Sequence, residues 1–592
     1  MNARPATVAL CLLASPATLL ADIIYVDDSA AGANDGSSWE NGFRKLRPAL
    51  TVAQAGDTVR VAQGVYAPAN AGGSRAATFS VPDGVRVVGG YAGAGAVDPD
   101  AFDPDTFITT LTGDLNGDDG PDFANDGENS WHVVTFHNTN GGTVLRGVTV
   151  TGGNAQGTPT DDDADGGGGG IACIAATVTF RDCIIEGNRA SQFGGGVAAV
   201  SLFFDTRAIH MRNCIIRGNE TTSFTGGAGG VSASRQSTFA DCLFEDNHCH
   251  VASLGGGLIA SDARIERCEF IDNVSGDEGG AIRGSGLEVI ECTFTSNISG
   301  WAGGAMSLSE DNLVRNCVFD DNRASVNGGA IRLTSDVTIG TTIIDCDFIG
   351  NVSDRGGGVS TRFNRVRLIN CRFFDNFADD PSTLSGKGGA VECDDATLSA
   401  VNCLFSGNAS LAGGAAVSVI GQVSLINCTI VGNQGNTTSG NGPGGAVLVG
   451  GINQDGIVNL HNCILWDNFS DSATVEAQQV SALSDPVFRI RNCIIQGWIG
   501  GAGGLGGSHN NGNDPLLIDP DGADDTFGTL DDDPRLGVGS PAINTGRNDL
   551  LPRDDFDLDG DGNFTERISL DLDGERRIRG GTVDRGAFEL QP

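Results

Sequence analysis

The side chains best suited to chemistry in this chain form one acidic stretch near the C-terminus, Asp555-Phe-Asp-Leu-Asp-Gly-Asp-Gly-Asn-Phe-Thr-Glu566. Calcium takes six to eight oxygen ligands, and glycine allows a ligand loop to turn sharply. Two registers fit the stretch: one begins at Asp555 and ends with Glu566, and the other begins at Asp557 and includes Asp561. The sequence therefore predicts a calcium site, with a solvated acidic turn as the alternative. The candidate ligands are Asp555, Asp557, Asp559, Asp561 and Glu566.

A second acidic stretch, Asp114-Leu-Asn-Gly-Asp118, also has the spacing of calcium ligands. Asp119 stands where a turn glycine is expected, so this pattern is weaker than the C-terminal one. An acidic loop without a metal is the alternative interpretation.

The other ionisable residues form no pattern that is typical of an active site. The histidines lack metal-ligand spacing, and no order of Ser, His and Asp stands out. Four of the seven histidines lie in the repeated region: His210, His248, His250 and His461. Several arginines fall at similar positions of a repeat, and we expect them to form a basic stripe without catalytic function. They are Arg212, Arg267, Arg315 and Arg491.

The part of the chain that must build the scaffold for these side chains is a sequence repeat. A phrase of cysteine, any residue, a large apolar residue, two more residues and asparagine recurs between Cys183 and Trp498, where only the last copy lacks the asparagine. Self-similarity at a period of roughly 20 to 50 residues indicates a solenoid. The repeat cysteines are Cys183, Cys214, Cys242, Cys268, Cys292, Cys317, Cys346, Cys371, Cys403, Cys428, Cys463 and Cys493.

Each repeat contains short β-rich pieces rather than helices. In one repeat these pieces are Ala281-Ile-Arg283, Leu287-Glu-Val-Ile290 and Cys292-Thr-Phe-Thr295, separated by Gly, Ser or Asn. Their apolar residues are spaced by two, which is typical of strands. Three short strands in each turn predict an all-β protein that folds as a parallel β-helix.

The polar residues of the repeat predict corners rather than a binding site. The residue before each cysteine is polar, usually Asn or Asp, which tolerate a left-handed bend. We expect the asparagine five residues after each cysteine to bend the next corner in the same way. Its stacked amides should also hydrogen-bond along the axis as a ladder. The Gly-Gly pairs, such as Gly279-Gly280, mark a tight corner.

A family resemblance lies in these phrases. Phe270-Ile-Asp-Asn273 followed by Gly279-Gly-Ala-Ile282 is similar to the paired repeats of chlamydial polymorphic membrane proteins. More broadly, the chain resembles bacterial β-helix repeat proteins of the pectin-lyase-like superfamily. The resemblance implies a right-handed parallel β-helix solenoid with an N-terminal cap and a C-terminal capping module. It does not specify a function, because the motif builds corners.

The same resemblance bears on catalysis. Polysaccharide lyases and hydrolases of that class use clustered Asp with Lys or Arg on one face of the solenoid. This chain has only two lysines, Lys45 and Lys387, and both lie outside the repeated phrases. The Gly-His-Gly and Arg-Ile-Lys signatures of polygalacturonases are absent from the sequence.

The sequence divides into four regions. Residues 1–21 resemble a secretory signal, with cleavage after Ala21 or Ala17. Residues 22–150 resemble the usual opening of this family, in which a strand and a short helix cover the open end before the first irregular rungs. Residues 151–498 are the β-helix repeat. Residues 499–592 form an acidic module that resembles the choice-of-anchor module, which implies export and an end cap.

The formal net charge of −39 argues against nucleic acid and anionic membranes as partners. No run after the signal is long enough to span a membrane. We therefore expect a secreted or cell-surface monomer that acts without catalysis in adhesion, glycan binding or as a scaffold. Its expected partner is a polysaccharide or another cell-surface ligand, and calcium is the expected cofactor. The alternative is a polysaccharide lyase or glycoside hydrolase of the pectin-lyase-like class.

Overall fold

The chain folds as a right-handed parallel β-helix built from three sheets that run along its length, as the resemblance predicted. The computed structural model describes residues 21–156, 167–200, 208–222, 226–250, 252–334, 340–379, 388–435, 444–450, 456–472, 474–483, 486–500 and 504–590. The signal predicted over residues 1–21 lies outside the described residues apart from Ala21, and so does Lys387.

Sheet A contains two rows of strands, because each rung contributes one strand on either side of a bend. The first row is Phe79–Val81, Val134–His137, Ile171–Ile174, Val197–Val200, Val231–Ser232, Leu258–Ser261, Ile282–Ser285, Met306–Ser309, Ile331–Thr334, Val359–Arg362, Val391–Val401, Val417–Ile426, Val447–Gly450 and Val480–Ala482. The second row shares Val391–Val401 and Val417–Ile426 with the first. Its other strands are Ile23–Val26, Thr58–Ala62, Arg86–Tyr91, Asn140–Arg146, Thr177–Arg181, Ile209–Arg212, Thr238–Ala240, Arg264–Glu266, Glu288–Ile290, Leu313–Arg315, Thr341–Ile344, Arg365–Ile369, Ile457–His461 and Val487–Arg491.

Sheet B holds the strands that begin just after the repeat cysteines, and sheet C holds two-residue strands that the sequence analysis missed. Sheet B is Gly64–Tyr66, Thr109–Thr112, Thr149–Thr151, Ile184–Glu186, Ile215–Arg217, Leu243–Glu245, Glu269–Ile271, Thr293–Thr295, Val318–Asp320, Asp347–Ile349, Arg372–Phe374, Leu404–Ser406, Thr429–Val431, Ile464–Trp466 and Ile494–Ile495. Sheet C is Asn154–Ala155, Arg189–Ala190, Glu220–Thr221, His248–Cys249, Val274–Ser275, Ile298–Ser299, Arg323–Ala324, Val352–Ser353, Phe377–Ala378, Ala409–Ser410, Gln434–Gly435 and Phe469–Ser470. The 15 strands of sheet B give a rod roughly 70 Å long at about 4.8 Å per rung.

The interior is a set of ladders, because parallel stacking brings the same repeat position into contact from rung to rung. Phe294, Phe319 and Phe348 are fully buried and stack with ring centroids 4.9 and 4.8 Å apart. The same stack extends from Phe244 to Phe405. The sequence prediction that the residue two after each cysteine points inward is therefore confirmed.

The corner before each cysteine is confirmed, but the next corner differs from the prediction. Asn316, which precedes Cys317, has φ 53°, in the left-handed region. At the following corner, Asp321 has φ 52°, whereas Asn322 does not have a positive φ. Asn322 is instead fully buried and forms the ladder. The sequence prediction was wrong here because the amide, directed inward, must satisfy buried backbone groups, so its neighbour takes the bend.

The Gly-Gly corner needs glycine at both positions for different reasons. Gly279 has φ +68°, which L side chains rarely adopt. A Cβ on Gly280 would lie only 2.0 Å from the carbonyl oxygen of Gly304 in the next rung. Close stacking of these two rungs therefore excludes a side chain at Gly280.

The cysteines form buried free thiols. All 15 cysteines of the described residues are buried and unpaired by disulfides. The main-chain N–H of Cys268 donates to Sγ of Cys292 at 3.4 Å, so this sulfur is bonded to the backbone of the neighbouring rung. Burial also raises the pKa of the Cys317 thiol, which disfavours the reactive thiolate.

We predict that thiol titration of the unfolded, unreduced protein will find most of these cysteines free. Export would normally favour disulfides, so the expected result depends on burial within the rungs. The measurement is titration with a chromogenic thiol reagent in denaturant, with a reduced sample as the control. A count near zero in the unreduced sample would contradict the prediction.

The N-terminal end is covered as expected. The strand Ile23–Val26 pairs in parallel with Thr58–Ala62, and the helix Leu46–Val52 follows it. Leu46, Ala49 and Leu50 of this helix are buried against the end of the core. The second α-helix, Val475–Gln479, is a short segment beside the last rungs. Three 3-10 helices, Pro121–Phe123, Asp126–Glu128 and Asn548–Leu550, complete the helical elements of the described residues.

The first residues of the C-terminal module stack on the last rung, whereas the rest of it packs along the side of the solenoid instead of over its end. Its regular structure within the described residues is one antiparallel pair, Leu517–Asp519 with Asp533–Leu536, and one short 3-10 helix. Phe588 and Leu572 pack against Phe374 and Leu404 on the outer face of sheet B. The last rung itself is continued by bridges from Ser508 and Asn511.

A column of corner asparagines holds the module. The side-chain amides of four asparagines on successive rungs each donate to a main-chain carbonyl oxygen of the module, at 2.9 to 3.2 Å. These are Asn402, Asn427, Asn462 and Asn492. In rungs outside the module this corner varies: Asn213 and Asn316 occur there, and so do Asp241, Arg267 and Glu291. An amide is needed where the module docks, because a carboxylate cannot donate to a carbonyl oxygen.

Candidate binding and metal sites

The structure brings most of the predicted calcium ligands together. One oxygen each of Asp557, Asp559 and Asp561 lies within 4.8 Å of the other two. A second group, which shares Asp559, joins it with Glu566 and Asp554 at the same separation. The structure therefore contains two overlapping clusters of carboxylate oxygens, and neither corresponds fully to the register beginning at Asp555 or to the one beginning at Asp557.

Asp554 was missed by sequence reasoning, and Asp555 lies outside both clusters. Asp554 is 1% exposed, whereas Asp555 is exposed to solvent. Phe556 and Leu558 pack against the solenoid. Asp554 lies two residues before Phe556, so in an extended segment its side chain points to the same side. That alternation is the signal that would have identified Asp554 as an inward-facing residue.

The loop leaves acceptor oxygens free for a cation. The N–H of Gly562 donates to Asp557 Oδ1 at 2.9 Å, and Ser569 Oγ donates to Asp559 Oδ2 at 2.7 Å. Glu566 Oε1 is buried and has no hydrogen-bond donor. Desolvation and the neighbouring carboxylates Asp561 and Asp559 raise the pKa of Glu566. Carboxylate oxygens of this kind are the ligands that calcium prefers.

The arginine stripe is neutralised by acidic residues of neighbouring rungs. Arg267 Nε lies 2.7 Å from Asp241 Oδ1, and Arg212 Nε lies 3.4 Å from Asp241 Oδ2. Arg315 Nε lies 3.7 Å from Asp345 Oδ2. These three arginines therefore present alternating charge to solvent rather than a basic track.

The histidines are held by hydrogen bonds, not by a cluster of metal ligands. A ring nitrogen of His210 lies 2.8 Å from Thr238 Oγ1, one of His248 lies 2.9 Å from Asp246, and one of His250 lies 2.7 Å from Glu220. Among the described residues, the groups with metal-binding geometry contain only Asp and Glu.

One acidic residue lies beside an arginine on the outward side of the first row of sheet A. Arg332, Ser360 and Glu392 occupy successive rungs at the same register position. Arg332 Nη1 donates to Ser360 Oγ at 2.9 Å, and Ser360 Oγ donates to Glu392 Oε2 at 2.7 Å. Burial raises the pKa of Glu392, while Ser360 and Arg332 oppose that rise. Arg332 is 8% exposed and Glu392 is 5% exposed, so neither offers a polysaccharide an open contact.

Sheet C carries an apolar stripe on its outer side. Val274, Ile298, Arg323, Val352 and Phe377 lie next to one another in register, one from each rung. Ile298 is 45% exposed, which is unusual for an isoleucine in a folded protein.

An exposed aromatic side chain lies just beyond the stripe. Trp301 follows the strand Ile298–Ser299 by two residues and is 44% exposed. Arg323 lies in the stripe with its guanidinium 3.6 Å from Asp379. A tryptophan beside an apolar row with a paired charge is chemistry suited to the faces and hydroxyl groups of sugars.

Comparisons with known proteins agree with this architecture. Residues 29–255 match the family described as protein of unknown function DUF1565, and residues 316–334 match the Chlamydia polymorphic membrane protein repeat. The second match contains a complete repeat phrase and the Gly-Gly corner at Gly328. The chain is a right-handed parallel β-helix repeat protein. A comparison with curated proteins finds no significant match to this β-helix protein.

Two solved structures share low sequence identity with the β-helix protein. A pectate lyase is 13% identical, with 96% of each chain covered and a TM-score of 0.25. A rhamnogalacturonan lyase is 12% identical over 80% of this chain and 87% of the other, with a TM-score of 0.19. No helix of the described residues is both long and apolar enough to cross a bilayer.

Proposed function

We propose that this protein is exported and acts outside the cell as a rigid scaffold that binds a neutral polysaccharide along sheet C without cleaving it. Residues 1–21 have the composition of a secretory signal, which supports export. Burial of the thiols is compatible with an oxidising compartment, because inaccessible thiols react slowly.

The observation that carries the proposal is the stripe from Val274 to Phe377 with Trp301 beside it. Sugar rings have apolar C–H faces that pack on aliphatic and aromatic side chains. The stripe repeats one contact in each rung, at about 4.8 Å, so an extended glycan can meet several weak contacts at once. The net charge of −39 disfavours acidic glycans such as pectin or alginate.

Replacing Trp301 with alanine is expected to weaken glycan binding about tenfold, which corresponds to about 1.4 kcal/mol. The expected loss comes from one aromatic contact, typically about 0.5–1.5 kcal/mol beyond the area it buries. The measurement is a glycan array of the mature protein, followed by titration with the best neutral oligosaccharide. The matched control is Phe363→Ala, which removes an aromatic ring of similar exposure, 47%, elsewhere on the surface. Equal affinities of wild type and Trp301→Ala would contradict the use of this face.

The alternative function is a polysaccharide lyase or glycoside hydrolase, and the nearest feature to a catalytic group is Glu392, linked through Ser360 to Arg332. The test is incubation with pectin, alginate and chondroitin, monitored for unsaturated products and new reducing ends. Our proposal predicts no turnover. Turnover that is lost in Glu392→Gln would establish the enzyme and remove the non-catalytic proposal.

We further propose that the C-terminal module binds calcium through Asp557, Asp559, Asp561 and Glu566, with Asp554 also available. A ligand that binds only the folded state stabilises it, by about 2.7 kcal/mol at a hundredfold excess over Kd. Calcium is therefore expected to raise the melting temperature, and chelator to lower it. Asp559→Asn should abolish the effect because Asp559 belongs to both clusters, whereas Asp555→Asn should preserve it. An unchanged melting curve with chelator would remove the site.

A further inference from the structure

Buried acceptor oxygens without hydrogen-bond donors are concentrated in one segment of the described chain, at the acidic insertion beside the first rungs. They belong to Asp126 Oδ2, Glu128 Oε1, Asn129 Oδ1 and Ser130 Oγ. A buried polar atom that is left without a partner destabilises the fold. Oxygen acceptors that gather without donors are the environment that a cation satisfies.

Three carboxylates meet at the same place. One oxygen each of Asp114, Asp118 and Glu128 lies within 4.8 Å of the other two. The loop that carries the first two is wrapped around Asp114, whose carboxylate accepts the N–H of Gly117 at 2.6 Å and the N–H of Asp119 at 3.2 Å. The acidic side chains are thus held close together although their charges repel one another.

An unpartnered amide oxygen is an independent sign of a ligand. Asn129 is 1% exposed and lines a cavity of about 470 Å³ together with Asp119 and Asp126. Its Nδ2 donates to Asp119 Oδ2 at 2.7 Å. Its Oδ1 accepts no hydrogen bond. Glu128, the residue before Asn129 and one of the three clustered carboxylates, likewise has a buried oxygen, Oε1, without a donor. Carboxylate and amide oxygens are the ligands that calcium takes.

We propose that Asp114, Asp118 and Glu128, with Asn129 beside them, bind a calcium ion. The donors are hard oxygens without a thiol or imidazole, which suits calcium rather than zinc or copper. Calcium is favoured over magnesium because the loop offers several protein oxygens, whereas magnesium keeps most of its water.

The ion would fasten the insertion to the rungs. Arg75 Nε donates to the carbonyl oxygen of Asn129 at 2.6 Å, and Asn154 Nδ2 donates to that of Asp126 at 2.8 Å. Arg189 Nη1 lies 3.7 Å from Asp126 Oδ2. The insertion is therefore already bound to the solenoid through its backbone. A cation would offset the repulsion among its carboxylates.

Terbium luminescence separates this site from the one in the C-terminal module. Terbium occupies calcium sites and emits when a nearby tryptophan is excited. Trp131 is three residues from Glu128, whereas the acidic loop of residues 554–566 contains no tryptophan. Full-length mature protein is expected to show terbium emission on tryptophan excitation, and added calcium should abolish it by competition.

Variants make the assignment specific. Glu128→Gln and Asp118→Asn should each lower the emission at least tenfold and remove one calcium ion per chain in elemental analysis after dialysis. Trp131→Phe should lower the emission but leave the calcium content unchanged, and Asp559→Asn should leave the emission unchanged. Circular dichroism checks that each variant is folded. Emission and calcium content that are unaffected by both Glu128→Gln and Asp118→Asn would overturn the proposal, whatever the C-terminal module or sheet C binds.

Discussion

Replacing Asn322 with alanine is expected to lower the free energy of unfolding by about 4 kcal/mol. Its side-chain Nδ2 donates to the carbonyl oxygen of Phe294 at 2.9 Å and to Asn351 Oδ1 at 3.0 Å. Its Oδ1 accepts the main-chain N–H and the side-chain Nδ2 of Asn297 at 3.1 and 3.0 Å. Removing the amide leaves several buried groups without partners, each costing about 1–3 kcal/mol.

The measurement is equilibrium unfolding in guanidinium chloride, and Asp321→Asn is the matched control. Asp321 is exposed and has φ 52°, a conformation that asparagine tolerates, so its replacement should change stability by less than about 0.5 kcal/mol. A loss below about 1 kcal/mol in Asn322→Ala would contradict the stabilising role of the ladder.

Phe319→Ala is expected to cost about 3–5 kcal/mol, the usual range for removal of a buried aromatic ring. Phe319 is fully buried and stacks on Phe294 and Phe348 with interplanar angles of 5° and 9°. The cavity would lie between two rungs, where close stacking prevents the backbone from collapsing into it. Because each rung contacts only its neighbours, the damage should be local.

Hydrogen exchange with peptide resolution measures this locality together with global unfolding. Faster exchange is expected in the rungs around Phe319, with little change near the N-terminal helix. Phe363→Ala removes a ring that is 47% exposed and serves as the control. Uniform loss of protection along the rod would show that the solenoid unfolds as one cooperative unit and would contradict the local effect.

The repeat constrains the residue types at corner and core positions strongly, but those on the outer face of sheet C only weakly. Corner and core positions are repeated in nearly every rung because each must fit the rung above and below. Outward positions of sheet C are free to vary, and in the rungs from Val274 to Phe377 they are mostly apolar. Glycan binding through such a face requires no unique set of side chains in one rung. Catalysis does require such a set.

The β-helix and its interior could be predicted from the sequence, since they depend on local, repeated chemistry. The inward direction of Cys317 and Phe319 follows from their spacing of two, and the left-handed corner at Asn316 follows from its residue type. The buried amide of Asn322 was predicted as a ladder but also, wrongly, as the bend. Residue type alone does not distinguish the two roles, because asparagine suits both.

Only the tertiary structure decided how distant segments meet. The module packs along the side of the solenoid because the amides of Asn402 and Asn427 and the apolar residues of sheet B match it, a complementarity between residues over a hundred positions apart. Glu128 joins Asp114 and Asp118 only through the path of the insertion, and Asp554 enters the C-terminal cluster through the packing of its neighbours. A repeat encodes contacts between equivalent positions of adjacent rungs, whereas these sites depend on segments that lie outside the repeat and fold back onto it.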